Sequence, residues 1–132
     1  MEILKGENEM KKPKIIEIEV ANDWGWCLLD LLGCISSYVK SWKIDEGEVY
    51  INKDGEMEDL FNDILYSNKE FFNIVREKHY VIQLKLWAIN DKGENILYMR
   101  IADSSYVDIY IYDEIVYEKM KNEIGLKDNN VK

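Results

Sequence analysis

Histidine is almost absent from this chain, His79 being the only one. A single imidazole makes no paired-histidine metal site and leaves no histidine-rich acid/base chemistry within one chain. Cysteine is scarce too: Cys27 and Cys34 stand seven residues apart in a helical pattern. A helix separates such positions by ~10 Å, beyond the roughly 7 Å limit for a disulfide. Both are therefore expected as reduced, structural thiols in an apolar stripe, where cysteine acts as a small buried hydrophobe. A cysteine-dependent enzyme pairing either one with His79 comes last among the functional readings.

Long apolar runs are also missing. Asp, Lys, Gln or Gly interrupts each stretch well short of the ~20 residues that a membrane span needs, and the basic start leads into an alternating strand rather than a signal-peptide core. No membrane association is expected, and the cytoplasm is the expected location. Basic charge is in short supply: 17 Lys and Arg against 26 Asp and Glu give a net charge of −9. Such a surface repels phosphate backbones, so no nucleic acid is expected as a partner. Solubility alone accounts for acidity, and a basic protein is the sharper reading.

Several motifs fail for want of one residue type. "YINKDGEMEDLF" has the look of a calcium loop, but its first and twelfth positions are Tyr50 and Phe61, where acidic ligands are required. "GWCLLDLLG" lacks the spacing and the Lys-Ser/Thr ending of a phosphate loop. No spacing among the carboxylates singles out an acid and a base. No metal or cofactor is expected, and folding rests on the apolar core.

What the sequence does contain is an alternating pattern of elements. Residues 1–13 read as a flexible arm, 14–125 as one α+β domain and 126–132 as a flexible tail. Ile16, Ile18 and Val20 alternate with Ile15, Glu17 and Glu19, as in a half-buried strand. Trp24, Cys27, Leu28, Leu31, Cys34, Ile35 and Tyr38 recur at helical spacing, with Asn22 or Asp23 as the cap. "SWKIDEGEVYIN" resembles a hairpin turning at Asp45 to Glu48. Met57, Leu60, Phe61, Ile64 and Leu65 predict a short helix, and Phe71, Phe72 and Val75 predict another after the capping pair Ser67 and Glu70. Three strands follow, linked by "DKGE" and "DSS", then a helix from Asp113 that Gly125 stops. Adjacent strands joined by tight turns predict an α+β fold, with an antiparallel or mixed sheet and helices mainly on one face.

Parity sets the pairing of the last three strands, because a slip by one residue exposes the aliphatic row. Ile101 then faces Val107, and Met99 faces both Ile109 and Leu86. The opposite face carries two rows, Trp87-Tyr98-Tyr110 and Lys85-Arg100-Asp108, with Tyr106 and Tyr112 on the same side. Cross-strand aromatic pairs stabilise a sheet by roughly 0.2–1 kcal/mol each, which is the plainer reading of these rows. The functional reading takes Lys85, Trp87, Tyr98, Arg100, Tyr106, Asp108, Tyr110 and Tyr112 as a partner-binding surface, since Trp, Tyr and Arg dominate interface hot spots. In a third reading, the N-terminal arm or a second subunit covers them.

The strand from Asp103 to Tyr110 with the acidic helix start after it, and the opening "IEIEVANDWGWCLLDLL", resemble a family of small bacterial proteins known only as a domain of unknown function. The resemblance implies a compact α+β protein and transfers no catalytic residues. In general character the chain also resembles immunity proteins that neutralise bacterial toxins. The leading expectation is thus a non-enzymatic protein-binding module, an immunity-type inhibitor of a basic toxin. The alternative is a small regulatory or stress-related protein that forms homo-oligomers through the same face.

Overall fold

A computed structural model describes residues 12–131, with side chains through residue 124. Apart from Lys12 and Pro13, the expected N-terminal arm lies outside the described residues. The elements are β1 (Lys14–Glu19), α1 (Cys27–Leu32), a 3₁₀ segment (Gly33–Tyr38), β2 (Ser41–Lys53), β3 (Glu56–Asp59), β4 (Leu65–Ser67), α2 (Asn68–Ile74), β5 (Tyr80–Ile89), β6 (Asn95–Ala102), β7 (Tyr106–Ile111) and α3 (Glu114–Val131). Among the described residues the strands form one antiparallel sheet in the order β1-β7-β6-β5-β2-β3, with β4 also paired to β2. This is the expected α+β class.

Alternation builds the core. Leu84, Leu86, Leu97, Met99, Val107 and Ile109 turn to one face and are almost fully buried. Leu28 and Ile35, Phe71 and Phe72, and Val116 and Met120 close over that face from the helical segments, in the same cluster. Trp42 is fully buried between helix and sheet, stacked on Phe71 with centroids 4.3 Å apart, and its indole N–H donates to Asn68 Oδ1 at 2.9 Å.

Four expectations give way. The predicted hairpin at Asp45 to Glu48 is a single strand, β2, with two irregularities against β5. Asp45 is the extra residue on β2, between the pairs Ile44–Leu86 and Glu46–Lys85, and Ile82 is the extra residue on β5. Each bulge resets the parity of its own strand, so Ile44 and Val49 on β2, and Val81 and Leu84 on β5, face inward despite their odd spacing. The chain bends closely at Gly47, where a Cβ would stand 3.2 Å from Ile44.

The helix predicted over Met57 to Leu65 is instead β3, a loop and the start of β4. Asp54 and Gly55 both adopt positive φ, 54° and 88°, and close a β2–β3 hairpin. Asp-Gly is among the strongest hairpin signals and outweighs the accidental helical spacing, leaving Met57, Ile64 and Leu65 exposed. The first helix is shorter than its apolar stripe: α1 begins only at Cys27, Trp24 and Trp26 are partly exposed, and Gly33 to Tyr38 tighten into the 3₁₀ segment. At the C-terminus, α3 continues through Gly125 to Val131, so the expected tail is helical that far. One glycine costs a helix only about 1 kcal/mol, and no proline follows to forbid continuation.

The capping box that opens α2 forms as expected: Ser67 Oγ accepts from the Glu70 N–H, and Glu70 Oε1 accepts from the Ser67 N–H. Ser67→Ala is expected to cost about 1 kcal/mol of stability, read as a lower urea midpoint at unchanged slope.

Candidate functional site: the outer face of the sheet

Every strand pair expected for β5 to β7 is present: Leu86–Met99, Trp87–Tyr98, Lys85–Arg100, Tyr98–Tyr110, Arg100–Asp108, Met99–Ile109 and Ile101–Val107. The three-residue turn at Asp103 to Ser105 is present too, between paired Ala102 and Tyr106. The residues opposite the core row therefore share one outer face.

The aromatic row is continuous. Trp87 and Tyr98 have ring centroids 4.6 Å apart, Tyr98 and Tyr110 5.9 Å, and Tyr112 joins at 6.4 Å from Trp87. All four side chains are half-buried. Burial pushes the Tyr98 phenol above its ordinary pKa, with the Lys85 and Arg100 charges pulling the other way. Beside this row, Arg100 donates to Asp108 Oδ2 at 2.8 Å, a bond that holds the guanidinium above its usual range. Tyr106 lies apart, at the end of the same face opposite Ala102, and is 55 % exposed.

Some members of this face were not anticipated. Trp87 donates its indole N–H to Asp45 Oδ2 at 2.9 Å, and Lys85 pairs with Glu46 at 3.1 Å. A hairpin reading assigns both acids to a turn and removes them from the face. On the other side β1 pairs with β7, setting Ile15 opposite Tyr110, Glu17 opposite Asp108 and Glu19 opposite Tyr106. Parity along β1 already puts these three away from the core; their neighbours were not legible.

His79 has a structural position. It is fully buried, Nε2 accepts from the Leu28 N–H at 3.2 Å in the first turn of α1, and Nδ1 lies 2.7 Å from the Glu77 carbonyl oxygen. An acceptor role at Nε2 fixes the proton on Nδ1, so the ring bridges α1 and the segment before β5. Burial lowers its pKa, while the Glu77 bond and the Asp30 charge oppose the shift. Cys27 and Cys34 are half-buried rather than fully shielded.

Among the described residues no helix is long and apolar enough to cross a membrane, and no group of three or more His, Cys, Asp or Glu is placed to hold a metal ion. No curated protein and no solved structure matches the chain. Residues 14–96 match a family described as a protein of unknown function, DUF2691. The match takes in the opening segment from Ile15, and with it β1 to β5, Lys85 and Trp87; the closing strand Tyr106 to Tyr110 lies beyond it. Since that match spans more than half of the chain, this protein belongs to the DUF2691 family.

Proposed function

We propose that the protein is a non-enzymatic binding module whose contact surface is the outer sheet face and whose partner is a basic protein, as in an immunity-type inhibitor acting on a toxin in the bacterial cytoplasm. The observation that carries this reading is the half-exposed row Trp87-Tyr98-Tyr110 beside the Arg100–Asp108 pair. Large rigid aromatics with a flanking arginine are what hot spots are made of. Acidic side chains border the row on both sides, Asp45 and Glu46 from β2 and Glu17 and Glu19 from β1. With a net charge of −9, they favour a basic partner and disfavour a second copy. The engagement of both His79 ring nitrogens supports the non-enzymatic reading, since neither is left for proton transfer.

Affinity capture from extract of the source cells, followed by binding kinetics on the purified partner, tests this. The expected partner is basic, and its association rate falls several-fold between low and high salt as steering is screened, with dissociation changing less. An acidic partner, or an association rate indifferent to salt, contradicts the reading.

A further inference from the structure

We propose that the open edge of β1 is a strand-addition site for an extended partner segment in which basic and apolar residues alternate. This rests on the binding-module reading and goes beyond it in naming a second contact and the chemistry that fits it. Val20 N–H donates to Ser105 O at 2.9 Å, in register with the β1–β7 pairs. Hydrogen-bonded pairs alternate along an antiparallel ladder, so Lys14, Ile16 and Ile18 direct their backbone groups to β7. The N–H and C=O groups of Ile15, Glu17 and Glu19 therefore point away from the sheet, with no partner among the described residues.

The edge is built unlike its counterpart at the far end. β3 is four residues long with Glu56, Glu58 and Asp59, all exposed, a charged and shortened edge of the kind that discourages pairing. β1 has six residues with three isoleucines and an unbroken register. Its inner pair Ile16 and Ile18 is only half-buried, and Ile15 on the outer side is 50 % exposed. A further strand would complete their burial.

Charge specifies the occupant. Across the sheet one row reads Glu46, Lys85, Arg100, Asp108, Glu17. Its last two members are acids placed directly opposite each other, an unfavourable arrangement that Arg100 relieves only on the Asp108 side. A lysine or arginine opposite Glu17 continues the row with the complementary sign, and a second serves Glu19 two residues along. Apolar side chains on the other parity meet Ile16 and Ile18. The occupant is thus an extended segment reading basic, apolar, basic, apolar, held by main-chain bonds with specificity from alternate side chains. A second copy presents the same acidic strand and is repelled.

Amide hydrogen exchange on the full chain, with synthetic peptides as probes, tests the edge. A peptide of alternating lysine and isoleucine is expected to slow exchange at Ile15, Glu17 and Glu19 by at least about 10-fold, while a glutamate-isoleucine peptide does not. In the variant Glu17→Lys with Glu19→Lys the preference is expected to reverse. Equal protection by both peptides, or none, overturns the proposal. So does protection of the three amides in the chain alone, whether dilute, which assigns the edge to this chain's own residues, or rising with concentration, which assigns it to a second copy. These outcomes leave the effect of Trp87→Ala on partner capture unaltered, so a failure at the edge is distinguishable from a failure of the outer face.

Discussion

Replacing His79 with leucine is expected to lower stability by about 2–3 kcal/mol, a loss of roughly 10 °C in Tm for a domain of this size. Leucine is close to histidine in volume, and the expected cost arises from the two backbone groups left behind: the Leu28 N–H at the start of α1 loses its acceptor and the Glu77 carbonyl loses its donor. Trp26 at the capping position makes no side-chain hydrogen bond there, so His79 supplies from a distance a cap that the local sequence does not. The same bridge makes stability depend on pH. Because burial lowers the folded-state pKa below the ordinary histidine value of 6.5, the unfolded chain takes up the proton first as pH falls. Stability from this group is full above about pH 6.5 and declines below it, down to the lowered folded pKa. Proton uptake at Nε2 would also remove the acceptor for Leu28. As His79 is the only histidine, urea midpoints measured between pH 7 and pH 5 should fall in the native chain. The leucine variant should lose that component of the slope; an unchanged slope would show that His79 does not set it.

Trp87→Ala and Tyr110→Ala are expected to weaken partner binding by about 2 kcal/mol or more each, roughly 30-fold in Kd. Part of each ring already serves the sheet: Trp87 lies against Tyr98 and bonds Asp45, and Tyr110 lies against Tyr98. Losing those contacts is expected to cost up to about 1 kcal/mol of stability per cross-strand pair. Binding should therefore fall by more than stability does. Asp108→Ala separates charge from packing, because it strips the Arg100 guanidinium of its partner while leaving the aromatic row in place. Its expected signature is a slower association with little change in dissociation. If the aromatic variants lose stability while the folded fraction binds undiminished, the row is scaffold alone.

The outer face was legible where period-two alternation runs unbroken. Over Leu84 to Ala88, Leu97 to Ile101 and Val107 to Ile111, alternate aliphatic positions turn inward and the loops between are marked by Asp, Gly or Ser, so residue parity alone set these pairings of β5, β6 and β7; it did not show that Ile96 is an extra residue on β6, between the pairs Ala88–Leu97 and Ile89–Asn95. It failed where a bulge changes parity inside a strand. "IDEGEV" carries turn residues, and nothing local tells a hairpin from a bent strand whose extra residue, Asp45, is accommodated by pairing with a distant β5. Asp45 and Glu46 dropped out of the predicted surface for that reason. The misread helix at Met57 to Leu65 had the opposite origin, since the decisive signal, Asp54-Gly55, was local and was outweighed by a chance spacing of apolar residues. His79 as a cap for α1 joins residues 51 apart in sequence, a pairing that no pattern along the chain encodes.

Site-specific photo-crosslinking tests the outer face most directly. A photoreactive phenylalanine analogue placed at Tyr110, on the aromatic row, and at Met57, exposed on the distant β3 hairpin, is irradiated in extract of the source cells. A contact surface on the outer face predicts that position 110 crosslinks a basic protein, that position 57 does not, and that Trp87→Ala in the same chain diminishes the product. Crosslinks from position 57 with none from position 110 would contradict it.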